Sequence, residues 1–170
     1  IRGSANTSAG MRVVTYTGNG TGSNNWAHLL SQAPELIITK NRDSGSFSWA
    51  TAWQATTNHQ TVYLNTNAGS FNGTNQWQST VPTSSLVYVG GSSETNSQPG
   101  QNQKIIAYCF HSVEGYSKVG SYTGNGNADG TFIYLGFRPA FFLAKNTTQT
   151  EHWVWWDNTR EPFNAMSKKL

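Results

Sequence analysis

The sequence predicts an all-β fold, an antiparallel β-sandwich or jelly roll with an internal repeat. Three observations predict it. Short β-branched or aromatic runs recur along the 170 residues, breaks rich in Gly, Asn, Ser or Pro separate them, and one stretch of sequence occurs twice. None of the apolar runs reaches the length of an ordinary helix.

The runs are RVVTYT, ELIITK, TVYL, LVYVG, KIIAYCF, TFIYL and AFFLAK, each compatible with a half-buried pleated strand. Between 47 and 53, Phe47, Trp49, Thr51 and Trp53 alternate with Ser48, Ala50 and Ala52, which places the aromatics on one face. That face is expected to be core. Asn-Gly in the TGNG segments is expected to supply the positive φ angles of tight turns. Pro34 and Pro139 each precede a strand, where a missing N–H does no harm.

The repeat organises the chain. TYTGNG around Tyr16 returns as SYTGNG around Tyr122, and the matches continue: Gly18 with Gly124, Gly20 with Gly126, Pro34 with Pro139, Lys40 with Lys145, Trp49 with Trp153. The offsets drift only from 106 to 104, so two one-residue deletions align the copies. The expected organisation is a linker (1–11), element A (12–53), a middle element B (54–115), a second copy of A (116–157) and a tail (158–170). Two arrangements remain open: both A elements in one sandwich completed by B, or a chain running into a further domain. Ile1 and the linker-like SANTSAG run favour reading the chain as part of a longer one.

Composition narrows the function. Only 11% of residues are charged, so Asn, Ser, Thr, Gln and Gly must carry the polar surface. The net charge of +3 is scattered, with no basic stripe for nucleic acid, and no apolar stretch approaches the ~20 residues of a membrane span. Cys109 is the single cysteine, which rules out an intrachain disulfide and suits a small buried residue.

No catalytic constellation stands out. Of eight carboxylates, Glu35 and Glu114 look solvated, and Asp157 in WWDNTR is expected to pair with Arg160 or cap a turn. His28, His59, His111 and His152 lack metal-ligand spacing, GxSxG is absent, and GNADG offers Asp129 as its only acid. No metal, cofactor or catalytic residue is expected. Asn6, Asn19, Asn72 and Asn146 each open an N-x-Ser/Thr pattern, which arises by chance in so Asn- and Thr-rich a chain.

Aromatics give the candidate binding site. Trp26 in GSNNWAH and Trp77 in GTNQWQS lie in polar company. An exposed indole beside Asn72 and Asn75 would stack on a sugar face while the amides bond its hydroxyls. The competing reading is that each Trp caps the sandwich beneath a loop.

The segments IIAYCFHSVEGYSKVGSYTGNGNADGTFIYLGFRPAFFLAKN and WVWWDNTREPFN, with APELIITKNRDSGSFSW and WQSTVPTSSLVYVGG, resemble a repeated domain of phage tail and virion-surface proteins. The resemblance covers 7–170. It implies a laminin-G-like or concanavalin-like jelly roll in a virion structural protein such as a tail fibre or spike. It also implies several copies of the module and sister copies as partners. Host-surface glycans follow by analogy of fold and setting alone. Three functions therefore compete: a virion module that binds host glycans, a purely structural assembly module, and a depolymerase-like hydrolase.

Overall fold

A computed structural model describes residues 2–53 and 60–159. Strands dominate, as the alternating runs predict, in the order β1 (Arg2–Asn6), β2 (Met11–Thr17), β3 (Asn24–Ala27), β4 (Leu36–Asn41), β5 (Ala50–Trp53), β6 (Gln60–Tyr63) and β7 (Phe71–Asn72). A one-turn helix α1 (Thr74–Trp77) follows, then β8 (Leu86–Val89), β9 (Lys104–Phe110), β10 (Phe141–Ala144) and β11 (Val154–Asp157). Seven strands form one antiparallel sheet ordered β1-β2-β9-β4-β5-β6-β7, and β3-β8 and β10-β11 form two smaller sheets.

Period-2 alternation builds the core. Across the large sheet one row runs Val14, Ala107, Thr39, Ala50, Tyr63, and its neighbour runs Cys109, Ile37, Ala52, Thr61. Val14, Ala107, Thr39, Ala50, Cys109 and Thr61 are fully buried on that face. Trp26, Val87 and Val89 from β3–β8, Leu30 and Trp77 from α1 close over it in a single cluster, which gives the molecule its sandwich-like layering. Burial pushes the Cys109 thiol up to about 12, so it stays protonated and inert, as expected of a small core residue.

The alternation at 47–53 has the expected period and the opposite phase. Ala50 and Ala52 face the core, while Trp49 lies on the other face and stacks on Tyr108 at 6.3 Å. The reason is volume. Trp77 bonds Thr61, the partner of Ala52, so the sheet beneath that indole must offer small side chains.

Two other expectations change. Residues 2–6, read as linker, pair with β2 as an edge strand. TFIYL (131–135) forms no strand, because no neighbour offers it a ladder of backbone partners. Among the described residues, the segment from 111 to 140 has a single isolated bridge, Val113 to Ser117. The β10–β11 hairpin beyond it touches the large sheet's edge through Ser70 N to Thr147 O at 2.8 Å and Trp153 Nε1 to Tyr63 O at 3.0 Å.

His28 ties the β3 end of the small sheet to the core. Its Nδ1 accepts from the Leu30 amide at 3.1 Å, so Nε2 carries the proton and donates to Thr83 O at 3.0 Å. Burial lowers its pKa from the ordinary 6.5, which marks it as a neutral core histidine. A depressed pKa contributes stability above the unfolded value that is lost as pH falls below it. His28→Gln should cost about 1–3 kcal/mol at pH 7.5 by stranding the Leu30 N–H and the Thr83 carbonyl. The gap from the parent chain should narrow at pH 5, as read by urea midpoints at the two pH values.

Candidate functional site

The sugar-stacking residues do not form a platform. Trp26 is 2% and Trp77 1% exposed. Trp26 stacks on Tyr16 at 5.0 Å inside the core, and Trp77 donates from Nε1 to Thr61 Oγ1 at 2.9 Å. Asn72 is exposed, but its Oδ1 is taken by the Thr74 amide at 3.0 Å and the Thr74 hydroxyl at 2.6 Å, which starts α1. Asn75, also exposed, accepts the Ser92 amide on its backbone carbonyl at 3.0 Å. The amides flanking Trp77 serve the fold: Gln78 Nε2 bonds Asn24 O and Val89 O, and the Gln76 carbonyl receives Gly90 N and Thr95 Oγ1. In one helical turn, polar neighbours reach backbone while the indole turns inward. A sequence window cannot separate that from exposure.

A second polar cluster lies at one end of the core, where the loop 90–103 is drawn inside. Asn96, fully buried, donates from Nδ2 to Asn19 Oδ1 at 2.9 Å and Thr21 O at 2.8 Å, and its Oδ1 receives Asn19 N and Asn24 Nδ2. Asn41 Nδ2 bonds Ser93 O and Gln103 Oε1, both at 2.9 Å. The Tyr16 hydroxyl donates to Thr95 O, and burial holds its pKa well above the usual 10. Every lone pair and proton of the Asn96 amide is used inside the protein, so this cluster acts as a lock.

The lock explains the first TGNG. A Cβ on Gly18 would lie 1.3 Å from the Asn96 carbonyl oxygen, and one on Gly20 2.5 Å from that of Gln98. Gly20 also has φ +65°, while Gly18 is required only by close approach. The turn expected there is therefore a packing surface for the loop.

Several described carboxylates are engaged locally, while Glu114 is exposed, as expected of a solvated residue. Glu35, expected to be solvated, accepts from the Ser112 amide at 2.6 Å and from the Ser112 hydroxyl. Asp43 Oδ2 takes Lys104 N at 2.7 Å, and Asp157 Oδ1 takes Thr159 N at 3.1 Å. Arg160 and Glu161, and with them the expected Asp157–Arg160 pair, lie outside the described residues, as does His59. Among the described residues no group of three His, Cys, Asp or Glu is placed to hold a metal ion.

What is open to solvent lies in the last third. Tyr116, Tyr122, Phe132, Ile133, Tyr134, Phe141 and Trp155 are all exposed, with Phe132 at 86% and Tyr134 at 80%. Only Leu29 and Val81 match them elsewhere among the described residues. A Cβ on Gly124, Gly126, Gly130 or Gly136 would meet nothing within 4 Å. Exposed large apolar side chains thus concentrate in this segment among the described residues. Sequence reasoning did not single it out, because Phe132, Ile133, Tyr134 and Phe141 lie in the runs TFIYL and AFFLAK, which read as strands.

The chain belongs to the family described as domain of unknown function DUF7483, whose model matches residues 2–170. No curated protein and no solved structure matches it.

Trp77→Ala should lower the unfolding free energy by about 3–5 kcal/mol, the cost of emptying a buried indole site. Asn96→Ala should cost about 1–3 kcal/mol by leaving Asn19 N and Thr21 O unpaired. Urea denaturation reads both. A loss under about 1 kcal/mol at Trp77 would show that its indole is not a core element.

Proposed function

We propose that this DUF7483 domain is a non-enzymatic structural module of the kind that phage tail fibres, spikes and other virion surfaces carry in several copies. It works through contacts between polypeptide elements. Sister elements are its partners, and its layered core is a jelly roll of the laminin-G or concanavalin type. The observation that carries this reading is the pairing of two hairpins. In β4–β5, Leu36 faces Trp53, Ile37 faces Ala52, Ile38 faces Thr51 and Thr39 faces Ala50. In β10–β11, Phe141 faces Asp157, Phe142 faces Trp156, Leu143 faces Trp155 and Ala144 faces Val154. The sequence offsets of 105 (Pro34 to Pro139) and 104 (Trp49 to Trp153) convert every pair of the first hairpin into a pair of the second. Elements 12–53 and 116–157 are two copies of one unit on this reading, and a repeat whose matched residues are glycines, strand-entry prolines and strand residues specifies scaffold.

Host-glycan binding loses its best support with the burial of Trp26 and Trp77. The exposed side chains of 116–155 are mostly aromatic, the residue class that polypeptide interfaces favour.

Sedimentation velocity tests the reading. The purified chain should self-associate at concentrations well above micromolar, and the double variant Phe132→Asp, Tyr134→Asp should stay monomeric with an unchanged urea midpoint. A parent chain that remains monomeric, or that releases reducing sugar from a host polysaccharide, overturns the proposal.

A further inference from the structure

We infer that residues 116–157 are the open half of a second unit, and that the occupant of that opening is a further B element. This occupant carries a 92–110-like loop and strand that seat against β10 and the second TGNG. The inference rests on reading 12–53 and 116–157 as copies, and three independent contrasts between them carry it.

The first contrast is in the strands. In the first unit, B supplies every strand partner from outside A except β1: β9 runs between β2 and β4, β6 flanks β5, and β8 pairs with β3. In the second, only the pair internal to A, β10–β11, is formed, and the positions matching β2 and β3 carry no strand. What is missing is the set of strands that depend on B.

The second contrast is in the glycines. Gly18 admits the Asn96 carbonyl where any Cβ would collide, whereas Gly124 faces open space. Its φ lies outside the left-handed range, so nothing local demands glycine there. The residue keeps the shape of a loop that is not present. The third contrast is in the aromatics. Tyr16 is 6% exposed, stacked on Trp26 and bonded to Thr95 O, while Tyr122 is 55% exposed and Phe132, in the stretch 130–133 that matches Trp26, 86%.

The occupant cannot be the β9 of a second copy of this chain. That strand is central in its own sheet, with Ile105, Ala107 and Cys109 fully buried, and its release would dismantle the sheet. A further B element, following A as the first B does, has no such cost. The β4–β9 register fixes how it would seat: the strand position matching Cys109 opposite Phe142, and that matching Ala107 opposite Ala144. Phe142 stacks on Trp156 where the first unit has Ile37 and Ala52, so the incoming strand must be small on its inner face.

A synthetic peptide of residues 92–112 carrying Cys109→Ala is the probe, titrated into the full chain at a concentration where the chain is monomeric. Saturable binding with slowed amide exchange at Phe141–Ala144 is expected. Gly124→Ala should leave the chain's own urea midpoint unchanged and weaken binding on the order of tenfold or more. Because a short peptide loses the shape of its loop, a chain extended beyond residue 170 by a second copy of 54–115 provides the second measurement. Its β10 amides should exchange slowly, and Gly124→Ala should restore fast exchange. Fast exchange at β10 in both experiments, or binding indifferent to Gly124→Ala, overturns the inference. If self-association persists while β10 stays open in both, the assembly reading stands and the B-element occupant alone falls.

Discussion

The fold depends on one strand, β9, lying between two strands that cannot otherwise meet. β2 and β4 are both in element A, yet each pairs with β9 and not with the other. The segment that joins them arrives more than 60 residues after β4 ends. Its inner side chains, Ile105, Ala107 and Cys109, are fully buried, and its outer Tyr108 backs Trp49. Closing so long a loop costs entropy before any contact rewards it, so the sheet forms late and nonlocally. Element A by itself has only the β4–β5 ladder.

The same stretch that delivers β9 also delivers the polar lock. Residues 92–103 place Thr95, Asn96 and Ser97 in the interior and then run directly into the strand. Asn41 reaches Ser93 O and Gln103 Oε1, and Gly18 N donates to Gln103 O at 2.9 Å, so loop and strand enter as one body. A buried amide as fully bonded as Asn96 resists displacement, because each lost partner strands another group out of water. Apolar rows and polar lock thus enforce a single docking of B on A.

Much of this was legible in the sequence, and the failures share a cause. KIIAYCF coincides with β9, and the all-β class follows from the runs and their breaks. The phase at 47–53 was not legible, since alternation gives a period and only the facing layer decides which residues turn inward. Trp26 and Trp77 misled because their amide neighbours are used by the fold: Asn24 bonds the Asn96 side chain, and Gln78 bonds Asn24 O and Val89 O. Glu35 looks solvated until Ser112 is brought to it. Gly18 looked like a turn residue, yet it is needed for the approach of a carbonyl 78 residues away. The candidate surface stayed hidden because a residue suited to a strand core reads identically whether or not its partner is present.

The two-stranded β10–β11 sheet holds its register largely through its own cross-strand side chains. A two-stranded hairpin is marginal in water without a third strand or a covering layer. β4–β5 needs no stacked aromatic pair of its own, because β9, β6 and Trp77 surround it. In β10–β11 the corresponding positions are bulkier: Phe142 stacks on Trp156 at 5.3 Å, and Phe141 meets Trp155 edge-on at 5.7 Å. Cross-strand aromatic pairs contribute about 0.2–1 kcal/mol each, which is the scale needed to favour one register over its neighbours. The hairpin is thereby preset in the alignment that β4–β5 shows inside a completed sheet. An element so arranged presents an ordered edge to an incoming strand, and the entropy of ordering it need not be met at the moment of docking.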